Sequence, residues 1–140
     1  MEFEFFPKIG VGSLQFGMTI EEVRKAMDLP FKSISKSDTG VPTDSFLENS
    51  VQVFYKQPGM CEAIEIYAPL RVLMNGVNLL GEPYSKVKSF LSELDSQLDE
   101  DNAGLISRVL GVSIYAPWHR KSPNSPTESV LAFEDGYYER

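Results

Sequence analysis

At 140 residues the chain has the size of one ordinary domain, long enough to bury about 70% of the surface its unfolded form exposes. A hydrophobic content of 42% with 24% charged residues excludes extensive disorder, and the net charge of −7 disfavours a nucleic-acid partner, because a phosphate backbone repels an acidic surface. The single cysteine, Cys61, excludes an intramolecular disulfide, the single histidine leaves no zinc spacing, and no stretch approaches the roughly 20 apolar residues of a membrane span.

The chain opens with "EFEFF", whose alternation predicts a short strand with Phe3 and Phe5 on one face, stopped by Pro7. This start has no signal-peptide core and no nearby cysteine for a lipid, so the expected location is the cytoplasm. A glycine-punctuated, extended entry follows, "IGVGSLQFG". Thr19 and Glu22 then form a capping box, with Met18 and Val23 as a hydrophobic staple. They predict a helix of about three turns, burying Ile20, Val23, Ala26 and Met27 and ending at Pro30.

"SISKSDTGVPTDS" has the composition of a loop. "SVQVFYK" and "CEAIEIY" are predicted strands around the turn "QPG", and "RVLMNGVNLL" a third that turns at Asn75-Gly76. From about Pro83, the spacing of Tyr84, Val87, Leu91, Leu94 and Leu98 predicts a second amphipathic helix. After "DEDNAG", read as an acidic turn, come strands "LISRVL" and "VSIYAP", the polar loop "WHRKSPNSP", a last strand "ESVLAF" and the closing "EDGYYER".

The order repeats. Gly17 aligns with Gly81, Val23 with Val87 and Arg24 with Lys88 at an offset of 64 residues. Val51 aligns with Val112 at 61, and Cys61 with Thr127 at 66. The expected fold is therefore α+β, two tandem helix-plus-antiparallel-meander units forming one sheet-and-helix domain over residues 1–140, with halves of about 9–75 and 76–140. Each half alone would leave an apolar sheet face open, so the halves should pair.

The stretch "FGMTIEEVRKAMDLP" resembles the glycine-methionine-threonine helix start of the small outer-membrane assembly lipoproteins and their relatives. That superfamily includes the β-lactamase-inhibitor-protein-like fold, with a helical unit and an antiparallel sheet in tandem. The resemblance implies a protein-binding scaffold. The chain departs from the pattern in lacking a lipoprotein cysteine and in carrying "DLP" where a glycine usually precedes the proline, so no lipid anchor is carried over. Toxin-neutralising immunity proteins are similar in size and charge.

No catalytic constellation is legible. His119 is the only imidazole and lies far along the chain from Cys61, which falls in a predicted strand. Asp99, Asp101 and Gly104 match a calcium loop at three positions, but Ala103 and Leu110 fail at the fifth and twelfth. The glycines at 10, 12 and 17 are too loosely spaced to cradle a phosphate. No cofactor or metal is expected. Trp118, His119 and Arg120 form a basic-aromatic cluster suited to anchoring an interface, and Asp99, Glu100, Asp101 and Tyr137 complete the candidate partner-binding set. The leading expectation is a non-enzymatic, cytoplasmic protein-binding module, of the immunity or inhibitor type, against a basic partner. The alternatives are a small-molecule-binding or enzymatic domain using carboxylates and tyrosines, and a structural subunit pairing through strand edges; the oligomeric state is left open.

Overall fold

The structure, a computed structural model, describes residues 1–35 and 40–139 and has an α+β architecture. In the first half, helix α1 (Ile20–Met27) precedes four antiparallel strands, β4 (Phe31–Ser35), β5 (Pro42–Phe46), β6 (Val51–Lys56) and β7 (Met60–Tyr67). In the second, α2 (Tyr84–Leu94) precedes β10 (Asp99–Glu100), β11 (Gly104–Ser107), β12 (Val112–Tyr115) and β13 (Ser129–Phe133). These eight strands form one sheet in the order β10-β11-β12-β13-β7-β6-β5-β4, which reads as the same arrangement from either edge. The halves meet at the antiparallel β13–β7 seam, where Leu131 lies opposite Glu65.

The offsets in the sequence reappear as hydrogen bonds. Gly17 N–H donates to the Cys61 carbonyl and Cys61 N–H to Met18, both at 2.8 Å. In the second half, Gly81 N–H donates to Thr127 and Thr127 N–H to Glu82, both at 2.9 Å. Gly17 and Gly81, at φ 91° and 74°, thus turn the chain into equivalent helices that lean on equivalent strands.

A smaller sheet runs β3 (Leu14–Gln15), β2 (Gly10–Val11), β1 (Glu2–Phe6), β8 (Arg71–Met74) and β9 (Val77–Asn78). Here β1 sits between two hairpins, antiparallel to β2 and parallel to β8. The second hairpin turns at Asn75-Gly76, where both residues take positive φ as this tight turn demands.

One face of the large sheet is the core. The row Asp44, Val53, Ile64, Ala132, Val112 and Ser107 is buried, and its apolar members share a cluster with Val23, Val87 and Leu91 of the helices and Phe5, Val11 and Val72 of the small sheet. On β7 an extra residue, Glu62, separates Ala63 from Cys61 opposite the Phe54–Tyr55 step. This bulge turns Cys61 into the core. Among the described residues, no helix is long and apolar enough to cross a membrane.

Four sequence expectations are corrected. Much of the polar stretch from Ser33 to Ser45 is strand, with residues 36–39 lying outside the described residues. α1 has eight residues and stops at Asp28, whose φ of 50° closes the helix before Pro30. α2 ends at Leu94, so Leu98 reaches the core from the following turn. Asp99 and Glu100 are paired as an edge strand with Ile106 and Leu105, not free in a turn.

The capping box of α1 is formed in both directions: Thr19 Oγ1 accepts from Glu22 N–H at 3.2 Å, and Glu22 Oε1 from Thr19 N–H at 3.0 Å. The Thr19 backbone bond, then the hydroxyl, hold the Glu22 carboxyl below its ordinary value. Thr19→Ala is expected to cost about 1 kcal/mol in urea unfolding. A loss under a quarter of that would mean packing alone holds the helix start.

Candidate functional site

The twin halves differ most where their last two strands connect. Three residues, Gln57-Pro58-Gly59, join β6 to β7 between Lys56 and Met60, whereas eight, 118–125, stand between the matching positions Pro117 and Pro126. This insertion carries the only tryptophan and the only histidine of the chain. It folds into consecutive tight turns: His119 N–H donates to Ala116, Ser122 N–H to Trp118 and Ser125 N–H to Ser122, at 2.9 to 3.1 Å. Its carbonyls also cap α2. Pro83 supplies no side-chain cap, and the N–H groups of Tyr84 and Ser85 donate instead to Ser125 and Pro123 at 2.9 and 2.8 Å.

His119 is buried, 5% exposed, with its ring stacked on Tyr84 at 4.3 Å between centroids. Its Nε2 lies 2.6 Å from the Asp101 carbonyl oxygen. A carbonyl can only accept, so Nε2 carries the proton. Asp101 in turn is fixed by its own carboxylate, which accepts from the N–H groups of Ala103 and Gly104 at 2.8 and 3.0 Å. Beside this stack, the Glu100 carboxylate accepts from the Tyr84 hydroxyl at 2.6 Å and from Lys88 Nζ at 3.1 Å. Burial, reinforced by Glu100, pushes the Tyr84 hydroxyl well above its ordinary pKa. The Tyr84 hydrogen bond holds the Glu100 carboxyl below its own, against a smaller desolvation effect and with help from Lys88. Between α2, β10 and the inserted loop runs an open groove of about 670 Å³.

Glu100, His119 and Arg120 line this groove, and Asp101 adjoins it through its carbonyl contact with His119. Trp118 stands at the crest of the loop, 58% exposed, with Lys121 Nζ 5.8 Å from its ring. Two candidates fall elsewhere. Strand alternation sends Asp99 to the opposite sheet face from Glu100, where it binds Arg108 at 3.1 Å. Tyr137, in the 3-10 turn Tyr137–Glu139, packs on Phe133 at 5.6 Å between centroids. The acidic run 99–101 is therefore divided among three tasks and forms no single patch. Among the described residues no group of three His, Cys, Asp or Glu is placed to hold a metal. Cys61 is buried, and that burial pushes its thiol up to about 12.

Two features were missed from the sequence. One is a buried ion cluster under α1, in which the Asp44 carboxylate receives Arg24 Nε at 2.8 Å, a second Arg24 nitrogen at 2.9 Å and the Tyr55 hydroxyl at 2.9 Å. The other is the outer face of the large sheet. Gln52, Glu65, Leu131 and Ser113 lie side by side across β6, β7, β13 and β12, all partly exposed and outside the core cluster. Glu65 accepts from the Tyr67 hydroxyl at 2.7 Å and from Ser129 Oγ at 3.1 Å. Burial and Glu65 raise the Tyr67 hydroxyl to about 12. Tyr115, 44% exposed, flanks Ser129 on the same face. The signal for this face was available in the alternation of "CEAIEIY".

No family model matches the chain, and no curated protein or solved structure matches it.

Proposed function

We propose that this protein is a non-enzymatic protein-binding module that docks a basic protein on the outer face of its eight-stranded sheet, as an immunity or inhibitor protein would. The reading rests on one observation above all: the helices and small sheet cover one side of the sheet, and the other, apart from the end where Tyr137 and Tyr138 pack on Phe133, keeps a partly exposed group of Gln52, Glu65, Tyr67, Ser113, Tyr115 and Leu131. Such a face offers aromatic anchors with polar handles. The net charge of −7 favours a partner of opposite sign through steering and suppression of wrong pairings. The resemblance of residues 16–30 to a protein-binding superfamily points the same way. So does the state of the groove, whose carboxylate Glu100 is committed to two donors and held ionised, the opposite of a poised general acid. The proposed setting is the cytoplasm, where the unpaired Cys61 thiol would stay reduced.

The test uses the basic proteins encoded by genes adjacent to that of this chain, purified and titrated by calorimetry. The expected result is one tight complex that weakens about 100-fold with Leu131→Arg, a charge placed at the centre of the face, and weakens steeply with added salt. Binding unaltered by both Leu131→Arg and Glu65→Lys would remove this face as the docking surface.

A further inference from the structure

We infer that the groove between α2 and the inserted loop 118–125 binds a small phosphorylated, hydroxyl-bearing organic molecule, with Arg120 taking the phosphate. This inference does not rest on the docking reading; it concerns a different surface and a different ligand.

The first ground is comparative within the chain itself. The two halves share strand order and helix-entry bonds, yet only one carries the eight-residue connection, and that connection makes the groove. A loop added to one copy of a duplicated scaffold has no part in closing the sheet, since the three-residue turn 57–59 does that in the twin.

The second ground is charge. Arg120 is exposed on the groove wall and has no acidic partner among the described residues. Lys88 stands opposite, and Glu100 cancels one of these two cations. The lining thus carries two cations, Lys88 and Arg120, against the one carboxylate of Glu100 in a protein of −7, so an anion is favoured here and disfavoured over the acidic surface as a whole. A phosphate matches the fork of a guanidinium and accepts further donors.

The third ground is the chemistry of the walls. α2 presents Ser85, Ser89 and Ser92 to the groove, a face of hydroxyls where a site for an apolar body would carry aliphatic side chains. His119 has Nε2 committed to Asp101, which leaves Nδ1 as its remaining hydrogen-bonding atom. The volume of about 670 Å³ lies within the range of small-molecule sites and far exceeds a bare phosphate ion. A sugar phosphate meets all three conditions.

Trp118, the sole tryptophan, sits on the loop and makes the test direct. Ribose 5-phosphate and glucose 6-phosphate are titrated into the intact protein while tryptophan fluorescence and backbone amide shifts are followed, with ribose and inorganic phosphate as separate arms. At least one sugar phosphate is expected to saturate with a Kd below about 1 mM, inorganic phosphate to bind about tenfold more weakly, and ribose to give no response. Arg120→Gln is expected to weaken the sugar phosphate about tenfold, whereas Glu100→Gln, which frees Lys88 from its carboxylate, should tighten it about threefold. A general loss of structure could not produce that tightening. The inference is overturned by no saturable response to either sugar phosphate, by an undiminished response in Arg120→Gln, or by shifts confined to the outer sheet face. Leu131→Arg should leave the response unchanged, so the failure of one proposal is distinguishable from that of the other.

Discussion

Replacing Asp44 with alanine is expected to destabilise the protein by about 3 kcal/mol and to lower its melting temperature by about 10 °C. The Asp44 side chain has no solvent exposure, and it is the acceptor for both Arg24 nitrogens and for the Tyr55 hydroxyl. Removing it strands a guanidinium and a buried hydroxyl. Losing one member of a buried pair typically costs about 3–5 kcal/mol. The Arg24 side chain is 30% exposed and can recover water, which places the expectation at the lower end. Arg24 also lies 4.3 Å over the Phe31 ring and donates to Ser33, so β4, the edge strand, should loosen along with the cluster.

The same cluster sets a pH dependence. Burial pushes the Asp44 carboxyl up, but the hydrogen bonds from Arg24 and Tyr55 outweigh it and leave the pKa below the ordinary 3.8. A carboxyl depressed on folding contributes stability above its unfolded value and loses that contribution as the pH falls through the folded value. The gap between the parent protein and Asp44→Asn should therefore be full at neutral pH and narrow below about pH 4. Urea melts at pH 7, 4 and 2.5 measure it; a gap under about 1 kcal/mol at pH 7 would show that the cluster contributes little.

Gly104→Ala is expected to cost a further class of energy, about 3 kcal/mol or more, by steric exclusion. A Cβ at this position would lie 1.8 Å from the Ile114 carbonyl oxygen, a backbone atom of the paired strand, and the glycine holds φ at 153°. The substitution must push β11 away from β12. The damage should spread to the groove, because Gly104 N–H holds the Asp101 carboxylate and the Asp101 carbonyl holds His119. Thermal unfolding followed together with Trp118 fluorescence tests both parts. A melting temperature within about 2 °C of the parent would mean that the strand pair yields freely at this point.

Much of the scaffold was legible because local rules and the repeat agree. The Thr19–Glu22 box, the Tyr84–Val87–Leu91 face and the Asn75-Gly76 turn each rest on a spacing that few alternatives satisfy. β5 was hidden by its composition. Thr43, Asp44 and Ser45 are buried polar residues, held by partners on another element rather than by hydrophobicity, and a window of sequence cannot see Arg24 and Tyr55 reaching Asp44. The repeat held the missing signal: at the offset of 61 that relates Val51 to Val112, residues 43–46 fall on 104–107, the strand read as "LISRVL". Of the candidate site, Glu100, Asp101, His119 and Arg120 converge, but the burial of His119 was obscured by its cationic neighbours in sequence, which point elsewhere. Asp99 and Tyr137 lie away from the groove, on the outer face of the sheet: Asp99 extends the row of Ile106, Ser113 and Leu131 because strand neighbours alternate between faces, and Tyr137 packs on Phe133 from the closing turn.

The unequal connections between the last strands of each half also bear on engineering. A scaffold whose second copy already accommodates eight residues where the first has three has demonstrated, in its own architecture, tolerance to extension at that corner. Lengthening a flexible connection is cheap, about 0.6 kcal/mol per doubling. The short turn at 57–59, at the opposite end of the β13–β7 seam from loop 118–125, is thus a natural graft point for a foreign recognition segment, added without touching the interior.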